Sequence, residues 1–123
     1  MLSNAGSVYI DDIRLVAGAE PGVGPILILN GDFESELSGP WTLSDNYVNS
    51  AVSSEVKLVG EASLNLVANG FPSSGRIMTQ DLPILESNVT HTISYWYLSN
   101  TNNLTLTVRL SDNTIVATTN IRE

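Results

Sequence analysis

The chain has 123 residues, of which 42% are hydrophobic, so it is long and apolar enough for one domain with a real core and is not disordered by composition. Its formal net charge of −8 argues against unassisted binding to nucleic acid or to an anionic membrane surface, because those partners need a basic protein surface. The absence of cysteine excludes disulfides, thiolate metal sites and a cysteine nucleophile.

The first predicted element is a strand over residues 8–16. Apolar and polar residues alternate on both sides of Asp11 and Asp12, but the alternation slips by one residue at this pair. Such a slip is typical of a β-bulge, so we expect a bulged strand. Residues 18–28 follow as a linker with several prolines and glycines. The apolar run over 26–29, at its end, is either a short strand or a packed lead-in.

Short strands separated by turn signals make up the rest of the chain. Asn30-Gly31 predicts a turn, and Phe33 is expected in the core. Further strands are predicted on either side of Gly60 within 50–70, then over 75–84, 89–98, 104–110 and 115–121. No window has convincing helical periodicity, so the sequence predicts an all-β sandwich or barrel.

The alternation around residues 63–66 predicts which side chains of one strand are buried. Leu64 and Leu66 would face the core, whereas Ser63 and Asn65 would face outward. The same argument places Trp96 on the face of its strand opposite to Tyr95 and Tyr97.

Four segments stand in an order that resembles a known family. They are NGDFES (30–35), GPWTLS (39–44), GEASLNLVANG (60–70) and THTISYWYLSN (90–100). Their order is similar to that in the carbohydrate-binding-module type of β-jelly roll, the galactose-binding-like fold found beside bacterial glycoside hydrolases and in large surface proteins. The resemblance implies a jelly-roll β-sandwich. In that family the last strand reads aromatic-Ile-Asp-Asp, and here YIDDIRL stands at 9–15.

Two arrangements stay open for this displaced strand. Residues 1–17 are either the tail of a preceding domain or a permuted last strand that completes a sandwich over 29–123. The family pattern would continue with two more strands beyond residue 123. An unfilled sheet edge invites pairing with another chain, so we expect a homodimer or a strand-exchanged assembly.

The resemblance also implies a structural calcium ion between the first and last strands. Its side-chain ligands would be Glu34 and Asp11, with Asp12 a weaker candidate and a carbonyl near Ser63 completing the shell. Calcium takes about six to eight oxygen ligands, carboxylates and carbonyls mixed. The alternative is that these acids are solvated turn and edge residues, and the calcium site requires residues 1–17 to pack on this same domain.

Sugar binding needs exposed aromatic rings flanked by polar side chains. The sequence offers Trp96 as an outward ring, Arg109 as an outward residue of a neighbouring strand, and Tyr47 as a loop residue that could stack on a ligand. The alternative is that most of the aromatic residues are core residues.

The leading functional interpretation is a non-catalytic carbohydrate-binding module of an extracellular or cell-surface bacterial protein, holding a glycan or polysaccharide. An exported protein would carry its signal outside this sequence, which has neither a signal-peptide pattern nor a segment long enough to insert into a membrane. A structural or adhesive spacer with a calcium-stiffened edge and no sugar ligand is the alternative. A small hydrolase that uses His91 is a third hypothesis, which no local motif supports.

Overall fold

A computed structural model describes residues 2–70, 78–101, 103–109 and 115–121, with side chains as far as Val108. These residues form an all-β fold. Its strands are β1 (Gly6–Ala17), β2 (Thr42–Leu43), β3 (Ala51–Ser53), β4 (Ser63–Ala68), β5 (Met78–Thr79), β6 (His91–Ser99), β7 (Leu104–Arg109) and β8 (Ile115–Ile121), with a 3-10 helix at Asp45–Tyr47. Within the ranges given above, no helix is both long and apolar enough to cross a bilayer.

The strand that opens the chain lies inside the main sheet. This antiparallel sheet has the order β3-β4-β1-β6, and Ile10 of β1 lies opposite Leu64 on one side and Tyr97 on the other. Two further antiparallel pairs, β2–β5 and β7–β8, complete the strand pairing of the described residues. The strand over Gly6–Ala17 is therefore integral to the sheet that the later residues build.

The bulge predicted at the Asp-Asp pair is confirmed. Asp11 lies opposite Trp96 and Arg14 lies opposite Ser94, so β1 has two residues where β6 has only one. Asp12 takes up the extra length with a φ of 53°, a left-handed conformation that aspartate tolerates better than most residues.

The core lies between the inner face of this sheet and the β7 strand. Phe33, predicted as a core residue, is fully buried. The buried cluster comprises Leu2, Val8, Ile10, Phe33, Tyr47, Leu64, Leu66, Ala68, Leu104 and Leu106. Leu2 reaches this core because its backbone bridges to Leu106 of β7. Residues from both ends of the described chain thus contribute to one apolar interior.

The apolar run at 26–29 forms no strand but packs along β1 as a lead-in. Leu27 N donates to Leu15 O at 2.9 Å, and Ile13 N donates to Gly31 O at 2.8 Å. β4 pairs with β1 only as far as Ile10, so this segment satisfies the backbone groups that β4 leaves uncovered.

The strand predicted over 75–84 is much shorter than expected. Residues 75–77 lie outside the described part, and β5 covers only Met78–Thr79. The Gln80 side chain then replaces a strand partner, since its Nε2 donates to Leu29 O at 2.8 Å and its Oε1 accepts from Leu29 N at 2.7 Å. Pro83 has no N–H with which to continue a ladder.

Leu64 and Leu66 face the core and Ser63 lies on the opposite, outer face, as predicted, but Ser63 is not exposed to solvent there. Ser63 is 1% exposed, because the loop that precedes β4 covers this end of the outer face. Its hydroxyl donates to the carbonyl of Val56 in that loop. Alternation predicts the face of a side chain but not what covers that face.

We predict that Gly31→Ala destabilises the fold by about 1–3 kcal/mol, the usual cost of overpacking. A Cβ at this position would overlap the Ile13 carbonyl oxygen, which is backbone and cannot rotate away. Urea denaturation measures the change. Gly70→Ala is the matched control, because its Cβ would lie 3.8 Å from Ala5 Cβ in ordinary contact. Equal midpoints for the two variants would contradict the close approach.

Candidate binding groove and carboxylate-held loop

A shallow groove of about 190 Å³ lies on the outer face of the four-stranded sheet. We call it the outer groove. It is lined by Tyr9, Val56, Lys57, Leu58, Ser63, Trp96, Tyr97 and Leu98. Three of these eight side chains are aromatic, and most of the remainder are aliphatic.

One wall of the outer groove comes from β6, the edge strand of the sheet. Trp96 is 59% exposed and Leu98 is 56% exposed, and across the ladder Leu98 lies opposite Tyr9. The outward orientation predicted for Trp96 agrees with this exposure. Tyr95 packs against the core, whereas Tyr97 stays 39% exposed, more than expected for a core residue.

The opposite wall comes from the loop between β3 and β4. Val56, Lys57 and Leu58 line the groove, and Leu58 is 55% exposed. Lys57 is the basic residue of the lining, and its Nζ lies 3.4 Å from Glu61 Oε2 in an exposed ion pair. Such a pair contributes little to stability and leaves the ammonium group available to a ligand.

The prediction that Tyr47 contacts a ligand is wrong. Tyr47 ends the 3-10 helix and is fully buried, and its hydroxyl accepts a hydrogen bond of 2.8 Å from the backbone N–H of Leu2. A ring held in the core cannot stack on a sugar. Sequence position alone suggested a loop, and the partner that buries the ring is 45 residues away.

Trp41 has a structural role in the turn that follows Asn30. Its ring stacks on Phe33 with 6.0 Å between centroids, and its Nε1 donates to Asn30 O at 3.0 Å. Arg109, the third predicted ligand contact, has its backbone in β7, but its side chain lies outside the described part. Its role therefore stays a prediction.

Asp11 is 4% exposed and uses both carboxylate oxygens as acceptors of backbone hydrogen bonds. Oδ2 accepts from Leu58 N at 2.9 Å and from Val59 N at 3.1 Å. Oδ1 accepts from Asp12 N at 2.7 Å. Because Asp11 follows the inward-facing Ile10 in β1, its carboxylate lies on the outer face of the sheet, where it binds the loop that forms one wall of the groove.

Glu34 binds the same loop three residues further on. Its Oε1 accepts from Glu61 N at 2.9 Å and from Ala62 N at 3.1 Å. Gly60 lies between the two bonded amide pairs with a φ of 67°, and a Cβ there would overlap the Glu34 carboxylate. Only glycine suits this position.

This arrangement does not fit the calcium site that the motif implies. The groups aimed at the Asp11 and Glu34 carboxylates are amide N–H donors, whose positive ends repel a cation. Asp12 instead pairs with Arg14 at 2.6 Å. No group of three or more metal-ligating side chains comes together in the part of the chain that the structure describes. A melting experiment tests the calcium ion that the resemblance implies.

Comparison with protein-family models, curated proteins and solved structures gives no match for this chain. The sequence placed Asp11 and Glu34 near each other in space but missed that both bind the loop. Gly60 is the local sequence feature that points to this loop conformation, because a glycine between two strands permits a left-handed turn.

We predict that the thermal midpoint is the same in excess calcium and in excess chelator. A ligand that binds only the folded state raises the midpoint, and the geometry offers this ion no oxygen cage. Calorimetry in the two buffers, with magnesium as a control for ionic strength, measures it. A calcium-specific rise of several degrees would restore the site that the motif implies.

We also predict that Tyr47→Phe destabilises the fold by about 1–2 kcal/mol, because the buried N–H of Leu2 loses its acceptor. Tyr97→Phe, at a partly exposed tyrosine, should change stability by no more than about 0.5 kcal/mol. Chemical denaturation of both variants tests this difference. Similar losses in the two would show that the Tyr47 hydroxyl does not anchor Leu2.

Proposed function

We propose that the protein is a non-catalytic carbohydrate-binding module of an extracellular or cell-surface bacterial protein. In this proposal it holds a glycan or polysaccharide against Trp96 in the outer groove. The observation that carries the proposal is the 59% exposure of Trp96 on a sheet face, beside a loop wall.

Exposed aromatic surface of this kind favours a ligand with an apolar face. Trp96 and Leu98 lie on the same face of an edge strand and are 59% and 56% exposed. A contiguous exposed apolar patch is typical of an interaction site. Sugar rings present C–H faces that pack on aromatic rings, and their hydroxyls bond to polar groups at the rim, for which Lys57 is available.

The size of the outer groove favours weak, reversible binding. Its volume of about 190 Å³ is below the range of about 300–1,000 Å³ typical of pockets that enclose drug-sized ligands. A ligand would therefore lie across the groove with much of its surface in water. This geometry is suited to one stretch of a long chain, which gains avidity from repeated engagement.

The surroundings of His91 do not favour the hydrolase hypothesis. Its Nδ1 lies 2.9 Å from the carbonyl oxygen of Val89, two residues earlier in the chain. A backbone carbonyl orients the ring but does not supply a nucleophile. The proposal therefore contains no chemical step.

One observation favours the spacer as a second candidate. The carboxylates of Asp11 and Glu34 tie the loop to β1 and to the turn after Asn30, which stiffens one end of the sheet without any ligand. A spacer of this kind would keep its shape and show no affinity for sugars.

The edge position of β6 supports a third possibility, pairing with a second copy of the chain. β6 is at the end of the four-stranded sheet as described, and His91 is its single ionisable side chain apart from its tyrosines. An uncharged edge strand is prone to pairing. Light scattering tests this arrangement. Pairing through β6 requires the mass of a dimer, and the mass should fall to that of the monomer when Trp96 and Leu98 are replaced by lysine.

The test of the proposed function is Trp96→Ala in affinity electrophoresis against neutral and uronate-containing polysaccharides. We expect the wild type to be retarded by at least one of them and the variant to lose affinity by about tenfold or more, as for a buried aromatic anchor. Ile84→Ala is the control, because Ile84 is fully exposed and does not line the groove.

The ligand screen has two outcomes that would contradict the proposal. Equal retardation of wild type and Trp96→Ala would move the binding site away from the groove. No retardation of the wild type by any polysaccharide would favour the spacer. A stronger effect of uronate polymers that disappears in Lys57→Gln would identify the ammonium group as a ligand contact.

A further inference from the structure

The loop over residues 56–62 is attached to the sheet by side chains that bind its backbone. We call it the clasped loop. Asp11 accepts from the amides of Leu58 and Val59, and Glu34 accepts from those of Glu61 and Ala62. The loop has no strand pairing of its own. Its backbone N–H groups are nevertheless bonded at residues 58, 59, 61 and 62, on both sides of Gly60.

Each carboxylate binds two successive N–H groups through one oxygen. Successive N–H groups that converge on one point form a concave anion-binding nest. Here the anions are side chains of the same protein, 47 and 27 residues from the amides they bind. Hydrogen bonds to a charged acceptor are roughly twice as strong as neutral ones.

No cation in the described part of the chain neutralises these two carboxylates. The ion pairs found there are Arg14 with Asp12 and Lys57 with Glu61. Asp11 is nevertheless almost completely buried. A buried carboxylate needs compensation, and the amide dipoles of the clasped loop supply it.

The clasped loop also forms one wall of the outer groove through Val56, Lys57 and Leu58. Asp11 lies directly opposite Trp96 in the β1–β6 ladder, and Trp96 belongs to the other wall. The side chain of Asp11 thus binds the loop on one side of the groove, while its backbone is paired with β6 on the other side.

We infer that Asp11 and Glu34 are positioning residues that hold the clasped loop as a wall of the outer groove by direct carboxylate–amide bonds, without a metal ion. The hydrogen-bonding part of this inference stands by itself. The effect on ligand affinity rests on the proposed function.

The experiment uses two variants with matched controls. Asp11→Asn leaves a single oxygen where the carboxylate uses both, and Asp12→Asn makes the same change one residue later, where the side chain bonds only to Arg14. Glu34→Ala removes the second clasp, and Glu36→Ala makes the same change two residues later, in the same turn. All four are compared as full chains.

Amide hydrogen exchange by NMR, in chelator, is the primary readout. We expect Asp11→Asn to raise exchange at Leu58 and Val59 by about tenfold or more, and Glu34→Ala to do the same at Glu61 and Ala62. The two control variants should keep all four rates within about threefold of wild type. A general loss of stability would instead accelerate exchange across all strands.

The wild type alone keeps the inference falsifiable if Asp11→Asn does not fold. Rapid exchange of these four amides in chelator would overturn the inference. Slow exchange that appears only when calcium is added would also overturn it, since the ion and not the amide bonds would then hold the loop. Slow exchange in chelator that calcium leaves unchanged supports it.

Affinity for the retarding polysaccharide is the second readout, measured below the melting range of every variant. We expect Asp11→Asn to bind about tenfold more weakly than Asp12→Asn. Equal affinities in the presence of a mobile loop would overturn the positioning role. If the wild type binds no polysaccharide, the proposed function fails while the exchange rates still decide the carboxylate–amide bonds.

Discussion

The carboxylate of Asp11 is the group on which the arrangement of the outer face depends. It lies on the outer face of an inner strand, immediately before the bulge at Asp12, and its side chain binds the loop before β4. Strand alternation supplies the direction of the side chain, burial makes its hydrogen bonds strong, and the loop amides compensate its charge. Losing any one of these three features would leave either a buried charge without compensation or the loop without its anchor.

The central position of β1 in the sheet places that carboxylate near segments that are distant in the sequence. Because β1 lies between β4 and β6, a residue near the start of the chain sits between segments that follow about 50 and 85 residues later. Pairing over such separations makes the fold non-local, and non-local sheets generally form slowly. The edge strands are then β3 and β6, and the exposed aromatic surface lies on β6.

The sequence predicted those features that depend on local pattern. The phase slip at Asp11 and Asp12 predicted the bulge, and alternation predicted burial of Leu64 and Leu66. Features that depend on distant partners could not be read in this way. Tyr47 is buried because of Leu2, and Ser63 because of the loop at Val56. The family resemblance placed acids near one another but not the donors that bind them.

Whether a pair of acids near a bulge binds a cation or amides is decided by the orientation of the nearby backbone. Carbonyls turned toward the carboxylates would complete an oxygen cage, whereas N–H groups form hydrogen bonds to the acids directly. In this chain Gly60 takes a positive φ, which turns the flanking amides of Val59 and Glu61 toward the acids. A motif made of Asp11 and Glu34 alone therefore specifies where negative charge is placed, and the loop specifies what neutralises it.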